Sequence, residues 1–217
     1  EVMNGFALAL VSRHFPQLHQ PLPSGPWTVL VELSDSEGVD HARSQFEGLL
    51  TTALEGGTIS DAAVAESVAQ SRAMWHLRES IPLAQSEEGL NIKHDIALPV
   101  SRIPGFCAAT DAALVARWPG VGLVNFGHLG DGNLHYNVQA PQGVDAAGFL
   151  RSEEQAVNAV VFDAVVAHGG SISAEHGIGV LKRDELARRK DATAMAMMRA
   201  VKHALDPAGL LNPGRVL

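Results

Sequence analysis

Apolar residues recur at helical spacing over much of the chain. Near its start, Met3, Ala7 and Leu10 have the spacing of one helix face, and the prolines between 16 and 26 end this pattern. The same spacing predicts two helices in the first half, one with Val39, Ala42, Phe46, Leu49 and Leu50, and one that runs from Ser60 through Val64, Val68 and Trp75 and ends before Pro82. Another helix is predicted at 104–118. The second half has two more, one in which Ser152 and Gln155 have capping-box spacing and which Gly169-Gly170 ends, and one with Met195, Met198, Val201 and Leu205.

Short segments with strand-like patterns separate these helices. The pattern predicts strands at 28–33, 96–100 and 171–174, and a hairpin over 122–140. Strands separated by helices, together with a hairpin, favour the α+β class. We therefore predict a largely antiparallel sheet with flanking helices.

Composition narrows the range of functions. The chain has 24 acidic and 16 basic residues, a formal net charge of −8 and a pI of about 5.6. Binding to nucleic acid needs a basic face, so we predict no nucleic-acid partner. Cys107 is the only cysteine, which rules out an internal disulfide. No apolar run approaches the ~20 residues of a membrane span, so we predict no transmembrane segment and a cytoplasmic location, with peripheral membrane association of a longer enzyme left open.

The predicted hairpin carries the first candidate site. Asp131-Gly132 is a strong signal for a two-residue turn, and that turn would place His128 directly opposite His135. Their Cβ atoms would then lie about 4.5–5.5 Å apart, close enough for both imidazoles to bind one divalent metal ion. Asn137 falls on the same face because strand side chains repeat every two residues. The alternative is that these histidines are ordinary surface residues of a hairpin.

A second candidate cluster is Glu175-His176, followed by Gly177 and Gly179. In an extended chain the two side chains would point in opposite directions, which suits Glu175 as a third metal ligand and His176 as a base facing a substrate. Three protein ligands would leave one coordination position open. A glycine turn with solvated charges is the alternative interpretation.

Two cations are candidate anchors for a substrate carboxylate. Arg78 lies near the end of a predicted helix, and Lys93 precedes the strand predicted at 96–100. An arginine suits bidentate contact with a carboxylate, whereas a lysine acts as a point charge. Taken singly, a solvated surface residue is the more common interpretation of each.

Five sequence blocks, at 75–79, 93–99, 128–137, 175–179 and 212–214, follow one another in a specific order. Together they resemble the C-terminal domain of FAD-linked oxidases, a family that includes D-lactate, D-2-hydroxyglutarate and glycolate dehydrogenases. The resemblance covers essentially the whole chain. It implies that residues 1–217 form a ferredoxin-like, substrate-binding cap domain of a vanillyl-alcohol-oxidase-type flavoenzyme. Because the chain begins with Glu1 in mid-pattern, we expect it to be the C-terminal part of a longer protein whose FAD-binding domain is absent here.

The resemblance also implies roles for individual residues. His128, His135 and Glu175 would bind the metal, which would be zinc or manganese. Arg78 and Lys93 would bind the substrate carboxylate, and Asn137 would make a polar contact with the substrate. His176 would be the catalytic base, and Asn212 would lie in a tail near the FAD.

The implied reaction is the oxidation of a 2-hydroxy acid to a 2-oxo acid, with the hydride going to FAD. Family members that act on D-2-hydroxyglutarate resemble one another in a threonine four residues after the arginine, whereas this chain has Pro82 there. That departure weakens a D-2-hydroxyglutarate assignment. The expected partners are a small 2-hydroxy acid, the FAD domain of the same longer chain and, through an exposed flavin-facing surface, a second copy of the chain. Alone, the fragment is expected to be inactive.

Two other functions fit the same residues. A zinc hydrolase could use the two histidines and the glutamate to activate water, with His176 as general acid or base. Alternatively, the chain could be a non-catalytic interaction domain whose apolar tail docks onto a partner.

Overall fold

An antiparallel sheet of six short strands is the framework of the fold, and the computed structural model describes residues 1–217. In chain order the strands are β1 (Val2–Asn4), β2 (Trp27–Val29), β3 (Asn91–Ile92), β4 (Asp95–Ala97), β5 (Gly122–Gly127) and β6 (Asn133–Gln139). They lie in the order β2-β1-β5-β6-β3, and β4 also pairs with β6. Every pairing is antiparallel, which confirms the predicted α+β class.

Eight helices accompany the sheet. They are α1 (Gly5–His14), α2 (Val39–Glu55), α3 (Val68–Glu79), α4 (Ile81–Glu88), α5 (Ile103–Arg117), α6 (Ala146–Ala167), α7 (Arg183–Arg189) and α8 (Ala192–Leu205). Two single 3₁₀ turns, Val100–Arg102 and Leu129–Asp131, follow β4 and β5. None of the helices combines the length and the apolar character needed to cross a membrane.

The alternation of side chains along β6 gives the sheet two different faces. Leu134, Tyr136 and Val138 are fully buried against α5 and α6, in a core cluster of 19 residues. The opposite face carries Val124 and Phe126 of β5, which pack with α1 and α4 in a second cluster of 10. Each fully buried aliphatic or aromatic side chain contributes about 1.5–3 kcal/mol relative to exposure. His135 and Asn137 lie on this second face, so the candidate site is built on the side of the sheet that α1, α3 and α4 cover.

Several element boundaries differ from the sequence predictions at the beginning of the chain. The residues before Gly5 form strand β1 rather than a helix, because Asn4 caps α1 by accepting a hydrogen bond from the N–H of Ala7. The strand predicted at 28–33 is β2 and ends at Val29. The helix predicted from Ser60 begins only at Val68, where Ser67 caps it through the N–H of Gln70.

Two predictions in the second half also need correction. The N-cap of α6 is Asp145, which accepts hydrogen bonds from Ala147 and Gly148, so Ser152 lies inside the helix. The strand predicted at 171–174 is reduced to one bridge between Ala97 and Ser171. The backbone leaves the sheet there because the N–H groups of residues 174–176 turn toward the side chain of Asp95.

Candidate metal and substrate site

The β5–β6 hairpin pairs in a different register from the predicted one. Phe126, not His128, stands opposite His135, and the connecting loop has five residues instead of two. The loop closes through a 3₁₀ turn in which the N–H of Asp131 bonds to the carbonyl of His128, and Gly132 adopts a left-handed conformation with φ of 81°. The Asp131-Gly132 signal therefore marks the end of a longer loop, and His128 lies just outside the strand pairing.

Glu175 lies near both of the other predicted metal ligands. His128 Nε2 is 3.4 Å from Glu175 Oε1, and His135 Nε2 is 3.9 Å from Glu175 Oε2. In a tetrahedral zinc site with bonds of 2.0–2.1 Å, neighbouring ligand atoms are about 3.3 Å apart. Each histidine thus faces one oxygen of Glu175 at a distance near that range, but the residues whose ligand atoms all lie within 4.8 Å of one another are Asp95, His135 and His176. A single ion shared by His128, His135 and Glu175 would draw these side chains closer together.

Each histidine has a second carboxylate behind its other ring nitrogen. Glu1 Oε1 lies 2.6 Å from His128 Nδ1, and Asp95 Oδ1 lies 4.0 Å from His135 Nδ1. Metal-binding histidines commonly donate their free N–H to such a carboxylate, which fixes the tautomer and leaves Nε2 for the metal. Glu1 therefore orients the His128 ring toward Glu175, whereas the distance between Asp95 and His135 is longer than a hydrogen bond.

Electrostatics favour the metal-binding form of His135. Burial lowers the pKa of its imidazole below the ordinary value, and the nearby carboxylates of Asp95 and Glu175 offset this only in part. A neutral imidazole is the form that binds a metal ion. The half-buried site therefore holds His135 ready for coordination at neutral pH.

Glu175 and His176 do not lie in an extended strand as predicted. The N–H groups of Ala174, Glu175 and His176 all donate to Asp95 Oδ2, at 3.1, 2.9 and 2.8 Å. Successive N–H groups cannot converge on one atom in extended chain, so this segment is a tight turn. The turn brings the His176 ring to 5.9 Å from the ring of His135, measured between centroids. Asp95, His135 and His176 also offer ligand atoms within 4.8 Å of one another.

Arg78 lies beside this group, at the end of α3. Its side chain is only 11% exposed, its Nε donates to Glu1 Oε2 at 2.7 Å, and its guanidinium carbon lies 4.9 Å from the centroid of the Phe126 ring. Glu1 thus contacts both Arg78 and His128. Because Glu1 binds only Nε, the two terminal nitrogens of Arg78 are left for an anionic ligand.

The flanking strand pairs indicate where Lys93 lies relative to Asn137. Asn91 pairs with Gln139 and Asp95 with His135, so Lys93 falls opposite Asn137 on the same face. Lys93 is exposed, whereas Asn137 is buried, donates to Gln85 Oε1 and accepts from the N–H of His94. Asn137 is therefore held rigidly two residues along β6 from His135.

The tail that carries Asn212 reaches the turn but not the histidines. Val216 donates its N–H to the carbonyl of Gly179 at 3.0 Å, and the Arg183 guanidinium donates to the carbonyl of Gly214. Asn212 itself is exposed, with a left-handed φ of 48°. Its predicted position near FAD stays a prediction.

Sequence reasoning assigned no role to Glu1, Asp95 or Gln85. Asp95 stands within the block at 93–99, and a strand pattern there indicates that it shares a face with Lys93. Glu1 and Gln85 gave no comparable signal, because their contacts lie 77 and 52 residues away along the chain.

Comparison with known proteins identifies related chains. The family model described as FAD linked oxidases, C-terminal domain, matches residues 1–216. The chain is 38% identical over 191 residues to a D-2-hydroxyglutarate dehydrogenase of Xanthomonas citri pv. viticola, covering 88% of this chain and 40% of that protein. It is 33% and 35% identical to the mitochondrial D-2-hydroxyglutarate dehydrogenases of Arabidopsis thaliana and Rattus norvegicus, covering all of this chain and 37% and 39% of those proteins. The chain therefore spans about two-fifths of the length of these relatives.

Proposed function

Because the chain belongs to the family of FAD-linked oxidase C-terminal domains, we propose that it is the substrate- and metal-binding part of an FAD-dependent dehydrogenase that oxidises a 2-hydroxy acid to a 2-oxo acid. One observation carries the proposal. The Nε2 atoms of His128 and His135 each face an oxygen of Glu175, Glu1 lies 2.6 Å from His128 Nδ1, and Arg78 lies alongside. This arrangement supports a metal site next to a binding site for an anion.

In this proposal the metal site binds the substrate hydroxyl. His128, His135 and Glu175 would hold zinc or manganese and leave at least one coordination position open. A divalent metal in such a site lowers the pKa of a bound oxygen ligand. In this proposal the three metal ligands determine the position of the substrate hydroxyl oxygen.

Arg78 and Lys93 would bind the substrate carboxylate. Arg78 is oriented by Glu1 and by the face of Phe126, so its free nitrogens are presented with little loss of side-chain entropy. Lys93 reaches toward the same face from the neighbouring strand, opposite Asn137. Asn137 would add a polar contact from β6.

His176 would act as the base that takes the proton from the 2-hydroxyl. Its ring is adjacent to His135, and its backbone is fixed by Asp95. FAD, when bound, would supply the acceptor for the hydride from C2. We propose that the part of the longer protein outside these residues binds the flavin, with the tail around Asn212 near it.

D-2-hydroxyglutarate is the substrate that the names of the relatives favour. Pro82, however, occupies the place of a threonine expected in enzymes for that acid, and it lies exposed in the first turn of α4. We therefore expect the full-length protein to accept D-2-hydroxyglutarate with a raised KM, which Pro82→Thr lowers.

The test uses the full-length protein with FAD and an artificial electron acceptor. D-2-hydroxyglutarate, D-lactate and glycolate are compared at equal concentrations, and bound metal is measured by elemental analysis. Wild-type protein should oxidise at least one of these acids, and His176→Ala should abolish flavin reduction while the metal remains bound. Full turnover by His176→Ala, or by wild-type protein stripped of metal, would contradict the proposal.

A further inference from the structure

We propose that Asp95 is a positioning residue that holds the turn carrying Glu175 and His176 over the site. This inference rests on the proposed function for the roles of those two residues. Asp95 lies in β4, its side chain is 2% exposed, and Oδ2 accepts the three successive N–H groups of residues 174–176. One carboxylate oxygen thus fixes the backbone of a metal ligand and of a catalytic base together.

Residues 174–176 have little else to fix their shape. No helix or strand lies between Ser171 and Arg183, and the tail bonds to this segment further along, where Val216 donates its N–H to the carbonyl of Gly179. Without Asp95, three neighbouring N–H groups that point inward would lose their acceptor. Lys182 strengthens the same attachment, because its Nζ donates to the carbonyls of Ile172 and Asp95.

The carboxylate also connects the turn to β6. Oδ1 accepts a hydrogen bond from Asn133 Nδ2 at 3.0 Å and lies 4.0 Å from His135 Nδ1. Asp95 therefore touches or faces the residues that supply the base and two of the three proposed metal ligands. A shift of this side chain would change the distances among all three groups.

Asp95 could instead bind the metal itself, since its carboxylate lies within reach of His135 and His176. The hydrogen bonds argue against that role. Oδ2 already accepts three donors, so coordination through this oxygen would cost the turn its anchor, and Oδ1 accepts from Asn133 and faces the Nδ1 side of His135, away from the nitrogen that faces Glu175.

The first measurement is hydrogen–deuterium exchange of full-length protein, without metal or substrate. Asp95→Asn preserves the size and removes the charge, and Asp95→Ala removes the acceptor. The control is Asp145→Asn, which alters an aspartate that accepts two backbone N–H groups at the start of α6, outside the site. Amides 174–176 should exchange at least about 10-fold faster in Asp95→Asn than in wild type, faster still in Asp95→Ala, and unchanged in the control.

The second measurement couples the turn to the site. Titration with Zn²⁺ or Mn²⁺ should show about 10–100-fold weaker binding in Asp95→Asn, the range typical for removing a group that orients a ligand. With saturating metal, kcat should fall more than KM rises. Unchanged exchange at residues 174–176 would overturn the proposal, as would faster exchange with normal metal affinity and normal kcat. The exchange result decides the role of Asp95 in fixing the turn even if the proteins oxidise no hydroxy acid.

Discussion

His128 and His135 present the same nitrogen to Glu175 but differ in their surroundings. The His128 side chain is 47% exposed, whereas that of His135 is 15% exposed and lies 4.8 Å from the Phe126 ring between centroids. Substitution of either by alanine should abolish stoichiometric metal binding, and His135→Ala should also lower stability because it removes this packing. The check is elemental analysis and thermal unfolding of purified full-length protein.

The control for this pair is His203→Ala, at an exposed histidine in the last turn of α8. It should bind metal as the wild type does. Retention of a full equivalent of metal by His135→Ala would exclude His135 as a ligand.

Glu1 provides a prediction of a different kind. Its carboxylate is almost fully buried and contacts both Arg78 and His128, so Glu1→Gln should weaken metal binding about 10–100-fold and also raise the KM for the hydroxy acid. Glu32→Gln is a suitable control, because Glu32 accepts a hydrogen bond from Trp75 on the surface. Parallel metal titrations and steady-state kinetics measure both effects, and a variant that changes neither would show that Glu1 has no influence on the site.

The histidines, Glu175 and the two cations were predicted from the sequence because of their residue types and the order of the blocks that contain them, and their roles stay predictions. Glu1 and Asp95 could not be assigned in the same way. Their importance arises from contacts between segments 77 or more residues apart, and such contacts leave no periodic signal in one chain.

At the scale of elements, the loop between β5 and β6 decides where His128 lies. Gly132 has a positive φ, and a Cβ there would lie 2.0 Å from the carbonyl oxygen of Leu98. Gly132→Ala should therefore destabilise the protein by at least about 1–2 kcal/mol, the usual cost of a left-handed conformation. It should also weaken metal binding by displacing His128.

Gly130→Ala in the same loop is the matched control. A Cβ at Gly130 meets no atom within 4 Å, so this substitution should leave metal affinity within about twofold and stability within about 0.5 kcal/mol of the wild type. Urea unfolding and metal titration test both variants. Equal effects of the two substitutions would contradict the account of the loop.

Local patterns predicted most of the helices and the position of the hairpin. They failed where a single side chain redirected the backbone. The periodicity predicted a helix that includes Met3, but Asn4 caps the helix and so starts it after Met3. A strand was predicted up to residue 174, but Asp95 binds the N–H groups of 174–176 and turns the backbone away from the sheet. The predicted hairpin register was wrong for a related reason, because a 3₁₀ turn closes the loop instead of the expected two-residue turn.

At the scale of the whole molecule, the sheet separates two cores, and the site lies at the end of the sheet where β5 turns into β6. The alternation along β6 directs Tyr136 into one core and His135 to the other face. This is why an apolar pattern could predict the α+β class, while the layer that covers the site, built from α1, α3 and α4, emerged only from the packing. The expected contact of the Asn212 tail with a flavin-binding part stays a prediction at this scale.

The stability of the whole molecule should depend on pH through His94. His94 is 1% exposed and lies within hydrogen-bond distance of the Tyr136 carbonyl and the Asn158 side chain; burial lowers its pKa from 6.5 to about 4. Above pH 6.5 the imidazole is neutral in both the folded and the unfolded state. As the pH falls from 6.5 toward 4, the unfolded chain takes up a proton that the folded chain excludes, so the free energy of unfolding decreases. Between pH 7 and pH 5 this loss amounts to about 2 kcal/mol.

His94→Gln should remove that part of the pH dependence. The variant should be less stable than the wild type at pH 7, because a buried imidazole with two hydrogen-bond partners is replaced. Between pH 7 and pH 5, however, its free energy of unfolding should fall by about 2 kcal/mol less than that of the wild type. His19→Gln, at an exposed histidine, should follow the wild-type curve. Urea unfolding at both pH values measures the difference directly. If His94→Gln and the wild type lose the same stability over this interval, the buried imidazole is not the group that makes the fold sensitive to acid.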